Sequence, residues 1–243
     1  HAYQPPTQKP EVLDRIVHNS YLPLTNSLIE NPEIKITLNV NASLTEQLQD
    51  DHVVLLEKFE ELGHNGQIEF LASGAYHPIL PLLTQNDAKI QIDLNNKINK
   101  NVLGEVYNPI GFWPPELAVS ESLISLLDNL NYKYSIVPEI SLSANQPYPT
   151  PFLAKVPIHK TAPHLALIPR NREISNKIAF HAYPDTNGII GHIEQLKKFQ
   201  PEEAVLVCAM DAETFGEHHK NYLPFLIDFL KKNYSMNAKE LLN

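Results

Sequence analysis

Short runs of β-branched and apolar residues alternate along this chain with longer segments whose apolar residues recur at helical spacing. The alternation is typical of βα units around a mostly parallel sheet, because each parallel strand needs a crossover connection to the next. The predicted strands lie at 35–40, 67–73, 109–114, 134–138, 165–170, 177–183 and 204–211. The predicted helices lie at 50–66, 85–103, 120–131, 188–199 and 222–233. We expect about six or seven such units to form a distorted α/β barrel, with residues 1–243 as one domain.

Three of these segments predict local detail. The helix at 50–66 has Val53, Leu56, Phe59 and Leu62 as its apolar face, and the segment at 85–103 carries Ile90, Leu94 and Ile98 at helical spacing. Ser120 or Ser122 is a candidate N-cap for the next helix. The stretch 140–163 is rich in Pro, Ser and Ala, and it predicts a long loop with room for one short strand. Long loops in compact domains often bind ligands.

The charge pattern argues against two classes of partner. The formal net charge is -9, and the 19 Lys and Arg residues are scattered and form no basic run. The chain therefore lacks the positive stripe that binds nucleic acid or an anionic membrane surface. No apolar stretch approaches the ~18–20 residues of a membrane span. The composition leaves the oligomeric state open.

Cysteine content and the first residue bear on the origin of the chain. Cys208, the one cysteine, stands in the apolar run "AVLVCAM" and is expected to be a small buried residue. One cysteine forms no internal disulfide and no Cys-based zinc site, which favours a cytoplasmic protein, and no signal peptide is visible. The chain begins at His1 and not at methionine, so we expect an excerpt of a longer enzyme that lacks most of strand 1.

Carboxylates, histidines and aromatic residues collect where the predicted strands end. The active site of an α/β barrel lies at this edge of the sheet. The residues concerned are His1, Tyr3, Gln4, Tyr76, His77, Trp113, Glu116, Asp211, Glu213, Phe215, His218 and His219, with Glu69 inside the strand at 67–73. A surface that served only solubility would scatter such residues over the whole chain.

Each of these residues also has an ordinary structural explanation. Glu116 and Asp211 could cap the segments that follow them. Glu69 could point away from the core, and His77, which precedes Pro78, could belong to a simple turn. Trp113 suits the core as well as it suits a flat wall against the C–H face of a sugar.

Two carboxylates on different strand ends, beside aromatic residues, suit the cleavage of glycosides. One carboxylate attacks the anomeric carbon or activates water, and the other protonates the leaving oxygen. Glu116 follows the rigid corner "GFWPP", and two prolines would restrict where its backbone leaves the strand. The apolar "LVCAM" and Phe215 would favour the protonated form of an acid at Asp211 by desolvation.

Four motifs, in this order along the chain, resemble the conserved regions of glycoside hydrolase family 57. They are "HAYQPP", "GQIEFLASGAYHPILPLL", "GFWPPE" and "MDAETFGEHH", and "NREISNKIAFHAY" resembles a later stretch of the glucanotransferase subgroup. That family includes α-amylases, 4-α-glucanotransferases and branching enzymes. The third and fourth motifs are specific when they occur together.

The resemblance implies a (β/α)7 barrel and a retaining mechanism on α-linked glucans, without metal or cofactor. Glu116 would be the nucleophile and Asp211 the general acid/base, with carboxyl carbons about 5–5.5 Å apart. The residues implied to line the substrate subsites are His1, Gln4, Glu69, His77, Trp113, Glu213 and His218.

The chain departs from the family pattern at three positions. Tyr3 stands where a second histidine is common, and His77 and Asn176 stand where the glucanotransferase subgroup usually has acidic residues. These departures affect the expected sugar and the balance between hydrolysis and transfer, and they leave the two catalytic carboxylates in place.

Two other functions compete with this interpretation. A metal-dependent polysaccharide deacetylase on a related barrel would use Asp211 with His1, His77 and His218, but the adjacent histidines at 218 and 219 point about 100° apart on a helix. An inactive carbohydrate-binding barrel would keep the cleft without needing both Glu116 and Asp211.

Overall fold

A mostly parallel sheet forms the centre of the molecule. The computed structural model describes residues 1–141, 158–198, 200–202 and 204–242, and within them the sheet has six strands in the order β1-β2-β3-β4-β6-β5. The strands are β1 Ile36–Asn39, β2 Ile68–Ala72, β3 Gly111–Phe112, β4 Tyr134–Pro138, β5 Ile158–His159 and β6 Ala162–Arg170. All neighbours pair in parallel except β5, which runs antiparallel to β6 at the edge. The α/β class predicted from the sequence is confirmed.

Helices connect and flank these strands. The α-helices in the described part are α1 Pro10–Ile16, α2 Leu22–Ile29, α3 Ala42–Asp51, α4 Val53–His64, α5 Gln85–Leu103, α6 Glu121–Asn129, α7 Arg172–Ala179, α8 Thr186–Lys197 and α9 Leu223–Lys232. A π-helical segment, Val17–Tyr21, joins α1 to α2. Short 3-10 turns include Pro115–Leu117, which comes shortly after β3, and Ala212–Thr214, which comes directly after Asp211. None of the described helices has the length and apolar character required to cross a membrane.

The two faces of the sheet are covered by different parts of the chain. Ala72, Phe112 and Val137 pack against α5 and α6 on one face. Their sequence neighbours Leu71, Trp113 and Ile136 belong to a second cluster on the opposite face, because successive strand residues point to opposite sides. Burial on both faces explains why the strands read as continuous apolar runs.

Backbone hydrogen bonds continue beyond the regular ladder, between the end of β6 and the end of β1. Asn171 N donates to Val207 O at 2.8 Å, and His1 N donates to Met210 O at 3.1 Å. Ala2 then bridges Val40 in parallel. The ladder itself stays open among the described residues, so the closed seven-stranded barrel stays a prediction.

Two predicted strands are wrong. The segment 177–183 lies largely in α7 and the turn after it, because Asn171 accepts a hydrogen bond from Ile174 N at 2.8 Å as an N-cap, and Ile174 and Ile178 bury one helical face. The run 204–211 forms no regular strand and is only half-buried. Its polar contacts go to side chains as well as to backbone, including Ala209 N to Ser175 Oγ at 3.1 Å.

The predicted helix faces are partly wrong for a reason visible in the packing. Val53 is exposed, and Leu55 takes its place in the buried face of α4. In α5 the buried face includes Asn95 and Asn99, and not the three predicted apolar residues. Asn99 Nδ2 donates to Val40 O at 2.9 Å, so its amide satisfies the backbone at the end of β1.

Two smaller predictions have different outcomes. Ser120 is the N-cap of α6, and its hydroxyl accepts from Leu123 N at 3.2 Å, as predicted. The predicted binding loop at 140–163 falls mainly on positions 142–157, outside the described residues; β5 and the start of β6 occupy its last part. The prediction of a single domain stays a prediction.

Candidate active site

A cavity of about 650 Å³ opens at the edge of the sheet where the parallel strands end. Eight of the nine predicted site residues line it, namely His1, Gln4, His77, Trp113, Glu116, Asp211, Glu213 and His218. They come from four stretches of the chain, 1–4, 77, 113–116 and 211–218, which meet at this edge of the sheet. The carboxyl edge of the sheet therefore gathers the predicted residues into one space.

Glu116 projects into this cavity from a strained turn. Its backbone has φ 57° and ψ 15°, and Leu117 after it has φ 52°, both in the left-handed region. Such a conformation in a non-glycine residue costs on the order of 1–3 kcal/mol and persists where the surroundings impose it. Leu117 N donates to Pro114 O at 2.8 Å and closes the turn, and the Glu116 side chain stays 68% exposed.

Four aromatic rings form a stack beside Glu116. The His1 ring lies 4.9 Å from His77 and 5.1 Å from Trp113, and Tyr3 lies 4.2 Å from His77, in each case centroid to centroid and nearly parallel. His1 Nδ1 lies 2.8 Å from Asn39 Oδ1, which fixes the first ring. The stack gives the cavity a flat wall of the kind that suits a sugar ring.

His77 connects the two predicted catalytic carboxylates electrostatically. Its Nδ1 lies 3.7 Å from Glu116 Oε1, and its backbone is also left-handed, with φ 55°. Burial lowers the pKa of His77, while the charges of Glu116 and Asp211 raise it, with a net downward shift. Both carboxylates therefore act on the same imidazole.

Asp211 follows the run 204–210 and begins the turn Ala212–Thr214. The desolvated setting predicted for it is wrong, because Asp211 is exposed and the run before it is only half-buried. Its position is fixed through the next residue, since Ala212 N donates to His1 O at 2.8 Å. Gly216 lets this turn approach the π-helical segment, where a Cβ would lie 1.8 Å from Asn19 O.

Glu213 lies under the floor of the cavity with its carboxylate engaged. It is 6% exposed, and its Oε1 accepts hydrogen bonds from Gln4 Nε2 at 2.9 Å and from the Tyr21 hydroxyl. Burial raises the pKa of Glu213, the Tyr21 hydrogen bond lowers it, and the charge of Asp211 raises it, with a net upward shift. The contacts hold Gln4 and the π-helical segment against the Asp211 turn.

Glu69 is the predicted site residue that does not line the cavity. Its Oε2 accepts from Thr37 Oγ1 at 3.3 Å and from Lys239 N at 2.9 Å. Lys239 belongs to the 3-10 turn Ala238–Leu242, which packs near the early part of β1 and β2. Burial raises the pKa of Glu69, and the hydrogen bond from the Lys239 backbone opposes this shift.

Sequence reasoning missed Arg170 and gave Asn176 no role in the site. Arg170, the last residue of β6, donates from Nε to Ala209 O at 2.6 Å and from Nη2 to Asn176 Oδ1 at 2.9 Å. Burial lowers its pKa, and the charges of Glu139 and Asp211 are among those that raise it. An arginine at the end of an apolar strand was the available signal.

Metal-binding geometry was the basis of the competing deacetylase interpretation. Among the described residues, no three His, Cys, Asp or Glu side chains come together in an arrangement that could hold a metal ion. The histidines that line the cavity are instead occupied with ring stacking, as for His1 and His77, or exposed, as for His218.

Comparison with known proteins identifies the family. The model described as "Glycosyl hydrolase family 57" matches residues 1–242. The chain belongs to glycosyl hydrolase family 57. The resemblance seen in the sequence motifs is thereby confirmed.

Similar family 57 proteins carry two kinds of name. "Alpha-amylase 1" of Dictyoglomus thermophilum is 24% identical over 96% of this chain, and "4-alpha-glucanotransferase" of Thermococcus litoralis is 24% identical over 98%. A crystal structure of the Thermococcus litoralis glucanotransferase superposes with a TM-score of 0.84 at 23% identity and covers 100% of this chain. The chain spans about a third of these proteins, 34%, 36% and 37% of their lengths.

Proposed function

We propose that this family 57 chain carries the catalytic site of a retaining enzyme that cleaves or transfers α-linked glucose units. The observation that carries the proposal is the pairing of Glu116 and Asp211 in one cavity, where Glu116 follows β3, Asp211 follows the run 204–210, and His77 Nδ1 lies 3.7 Å from Glu116 Oε1. The names of the similar proteins support an α-glucan as the substrate class.

The proposed reaction has two steps. In the first, a Glu116 oxygen attacks the anomeric carbon, the bond from that carbon to the glycosidic oxygen breaks, and Asp211 gives its proton to the departing oxygen. In the second, a hydroxyl of water or of another glucan attacks the same carbon, its proton passes to Asp211, and the ester bond to Glu116 breaks. Direct attack requires carboxyl carbons about 5–5.5 Å apart, and we expect this spacing in the sugar complex.

The remaining cavity residues take roles that suit their contacts. The stack of His1, His77 and Trp113 provides an apolar wall for the sugar, and His218 lies at the exposed rim. Gln4 and Glu213 hold the floor through their mutual hydrogen bond. Glu69 does not line the cavity and is not proposed to bind the substrate.

We further propose that the protein closes into a seven-stranded (β/α) barrel. The run 204–210 would take the sixth position and His1–Ala2 the seventh, between β6 and β1. The hydrogen bonds of Val207, Met210 and Ala2 across this gap support the closure. Closure would bring the Asp211 end of one strand next to the Glu116 side of the cavity.

Glu116→Gln and Asp211→Asn test the mechanism. Each should lower kcat by several orders of magnitude on maltooligosaccharides, whereas Glu105→Gln, at a side chain that is 91% exposed and does not line the cavity, should not. Azide should restore turnover of an activated α-glucoside by the two alanine variants, with opposite stereochemistry. Glu116→Ala should yield the β-azide and Asp211→Ala the α-azide. A normal rate in Glu116→Gln would refute the assigned nucleophile.

A further inference from the structure

Phe180 is a large aromatic residue left in solvent at the rim of the cavity. It is 76% exposed, and with Ala179 it lines the cavity just after α7. A buried phenylalanine stabilises a protein by about 1.5–3 kcal/mol relative to an exposed one. The exposed position of Phe180 therefore does not contribute this stability, and its side chain borders the cavity instead.

The loop that carries Phe180 is held in place. Phe180 N donates to Asn176 O at 2.8 Å, and His219 Nε2 lies 2.9 Å from Ala179 O. His181 adopts a left-handed backbone, with φ 52°, and its ring packs 4.1 Å from Tyr222. Contacts on both sides thus fix the backbone at Phe180 while its side chain remains outside the core.

Helix α7 is anchored to the chain segment that ends in Asp211. Ala209 N donates to Ser175 Oγ at 3.1 Å. Arg170 joins Ala209 O to the Asn176 side chain with bonds of 2.6 and 2.9 Å. Phe180 directly follows this helix, so it lies on the side of the cavity that holds the proposed acid/base.

We propose that Phe180 is a stacking platform for the sugar on the leaving-group side, which is also the side where an acceptor sugar binds. This inference rests on the proposed function. The acid/base carboxyl of a retaining enzyme must face the leaving oxygen, and the acceptor hydroxyl returns along the same path. A flat aromatic face there suits the C–H face of a pyranose, and the polar side chains of Glu217 and His218 on the same cavity suit its hydroxyls.

The platform would favour transfer over hydrolysis. In the second step an acceptor hydroxyl bonds to the anomeric carbon, its proton goes to Asp211, and the ester to Glu116 breaks. Water needs no stacking surface, whereas a sugar acceptor gains residence time from one. Removing the ring should therefore weaken acceptor binding more than it affects attack by water.

The test uses α-maltotriosyl fluoride as donor and maltose as acceptor. Phe180→Ala should raise the KM for maltose and lower the ratio of transfer to hydrolysis roughly tenfold. Phe180→Leu, which keeps an apolar side chain and guards against misfolding, should also lower the ratio, and Phe180→Tyr should restore it. Tyr234→Ala is the matched control, because Tyr234 is 79% exposed and does not line the cavity.

Several outcomes would overturn the platform. An unchanged ratio in both Phe180→Ala and Phe180→Leu would do so, and so would a wild-type protein that hydrolyses the fluoride without forming longer products. Loss of self-association or of a protein contact in Phe180→Ala, with the ratio unchanged, would make Phe180 a docking residue instead. The proposed function fails separately, if the wild-type protein releases no sugar from the fluoride or if Glu116→Gln retains full turnover.

Discussion

Removal of the Tyr21 hydroxyl should destabilise the protein from beneath the active site. In Tyr21→Phe the buried Glu213 carboxylate loses one of its two side-chain donors and keeps Gln4. A hydrogen bond to a charged group contributes about 1.5–3 kcal/mol. For a chain of this length each kcal/mol lowers Tm by about 2–4 °C, so the expected fall is roughly 3–12 °C.

The loss should depend on pH in a defined direction. The Tyr21 hydrogen bond lowers the pKa of Glu213 against the effect of burial, so its removal raises that pKa further. A carboxyl with a raised folded-state pKa binds protons on folding, and folded-state stability then falls as pH rises from the unfolded value of about 4.3 through the folded value. The difference between wild type and Tyr21→Phe should therefore be smallest near pH 4 and grow towards pH 8.

Tyr76→Phe provides a matched control for this measurement. The Tyr76 hydroxyl donates to Glu46 Oε2 at 3.2 Å, the same pair of groups in an exposed setting. Its removal should change stability by less than about 0.5 kcal/mol. Urea unfolding of the three proteins at several pH values measures both effects. A penalty in Tyr21→Phe that is no larger than in Tyr76→Phe, or that does not grow with pH, would refute the reasoning.

Two further substitutions test the packing around the site by urea unfolding. Gly216→Ala should lower the free energy of unfolding by on the order of 2–4 kcal/mol, because φ is 141° and the new Cβ would lie 1.8 Å from a backbone oxygen. Gly191→Ala, in α8 with nothing within 4 Å of the new Cβ, should raise it by about 0.5–1 kcal/mol. Equal effects of the two substitutions would contradict the steric argument. Asn99→Ala should lower the free energy of unfolding by on the order of 2–4 kcal/mol, because Val40 O loses its side-chain amide donor. Asn101→Ala, at an exposed position on the same helix, should change it little. Similar losses in both variants would show that the hydrogen bond to Val40 O contributes little to stability.

The strand ends could be predicted from the sequence because their residues need no distant partner to be recognised. A short apolar run that ends in "WPPE" marks where the backbone leaves the sheet, and the run that ends in "MDAE" brings Asp211 to the same edge although it is not a regular strand. Since parallel strands end at one edge, Glu116 and Asp211 were expected to share a space before any contact was known, and they line the same cavity.

Other features depend on contacts that a linear pattern does not contain. Asn95 and Asn99 break the apolar period of α5 because their amides satisfy other segments, including Ala42 N at 3.0 Å. The run 204–210 looks like a buried strand by composition, yet its backbone bonds to the side chains of Arg170 and Ser175. The helix at 172–179 could have been predicted from the sequence, because Asn171 followed by Arg and Glu is an N-cap signal.

The left-handed backbone at Glu116 has an evolutionary consequence. Glycine or asparagine would adopt φ 57° with less strain, so the residue proposed as the nucleophile is also one that the fold itself disfavours. Replacing the glutamate would increase folding stability, so only selection for turnover keeps it at this position. In a lineage where the sugar is no longer processed, this position should be among the first to drift, and glycine in place of the glutamate would mark a relative that has given up catalysis and retained the fold.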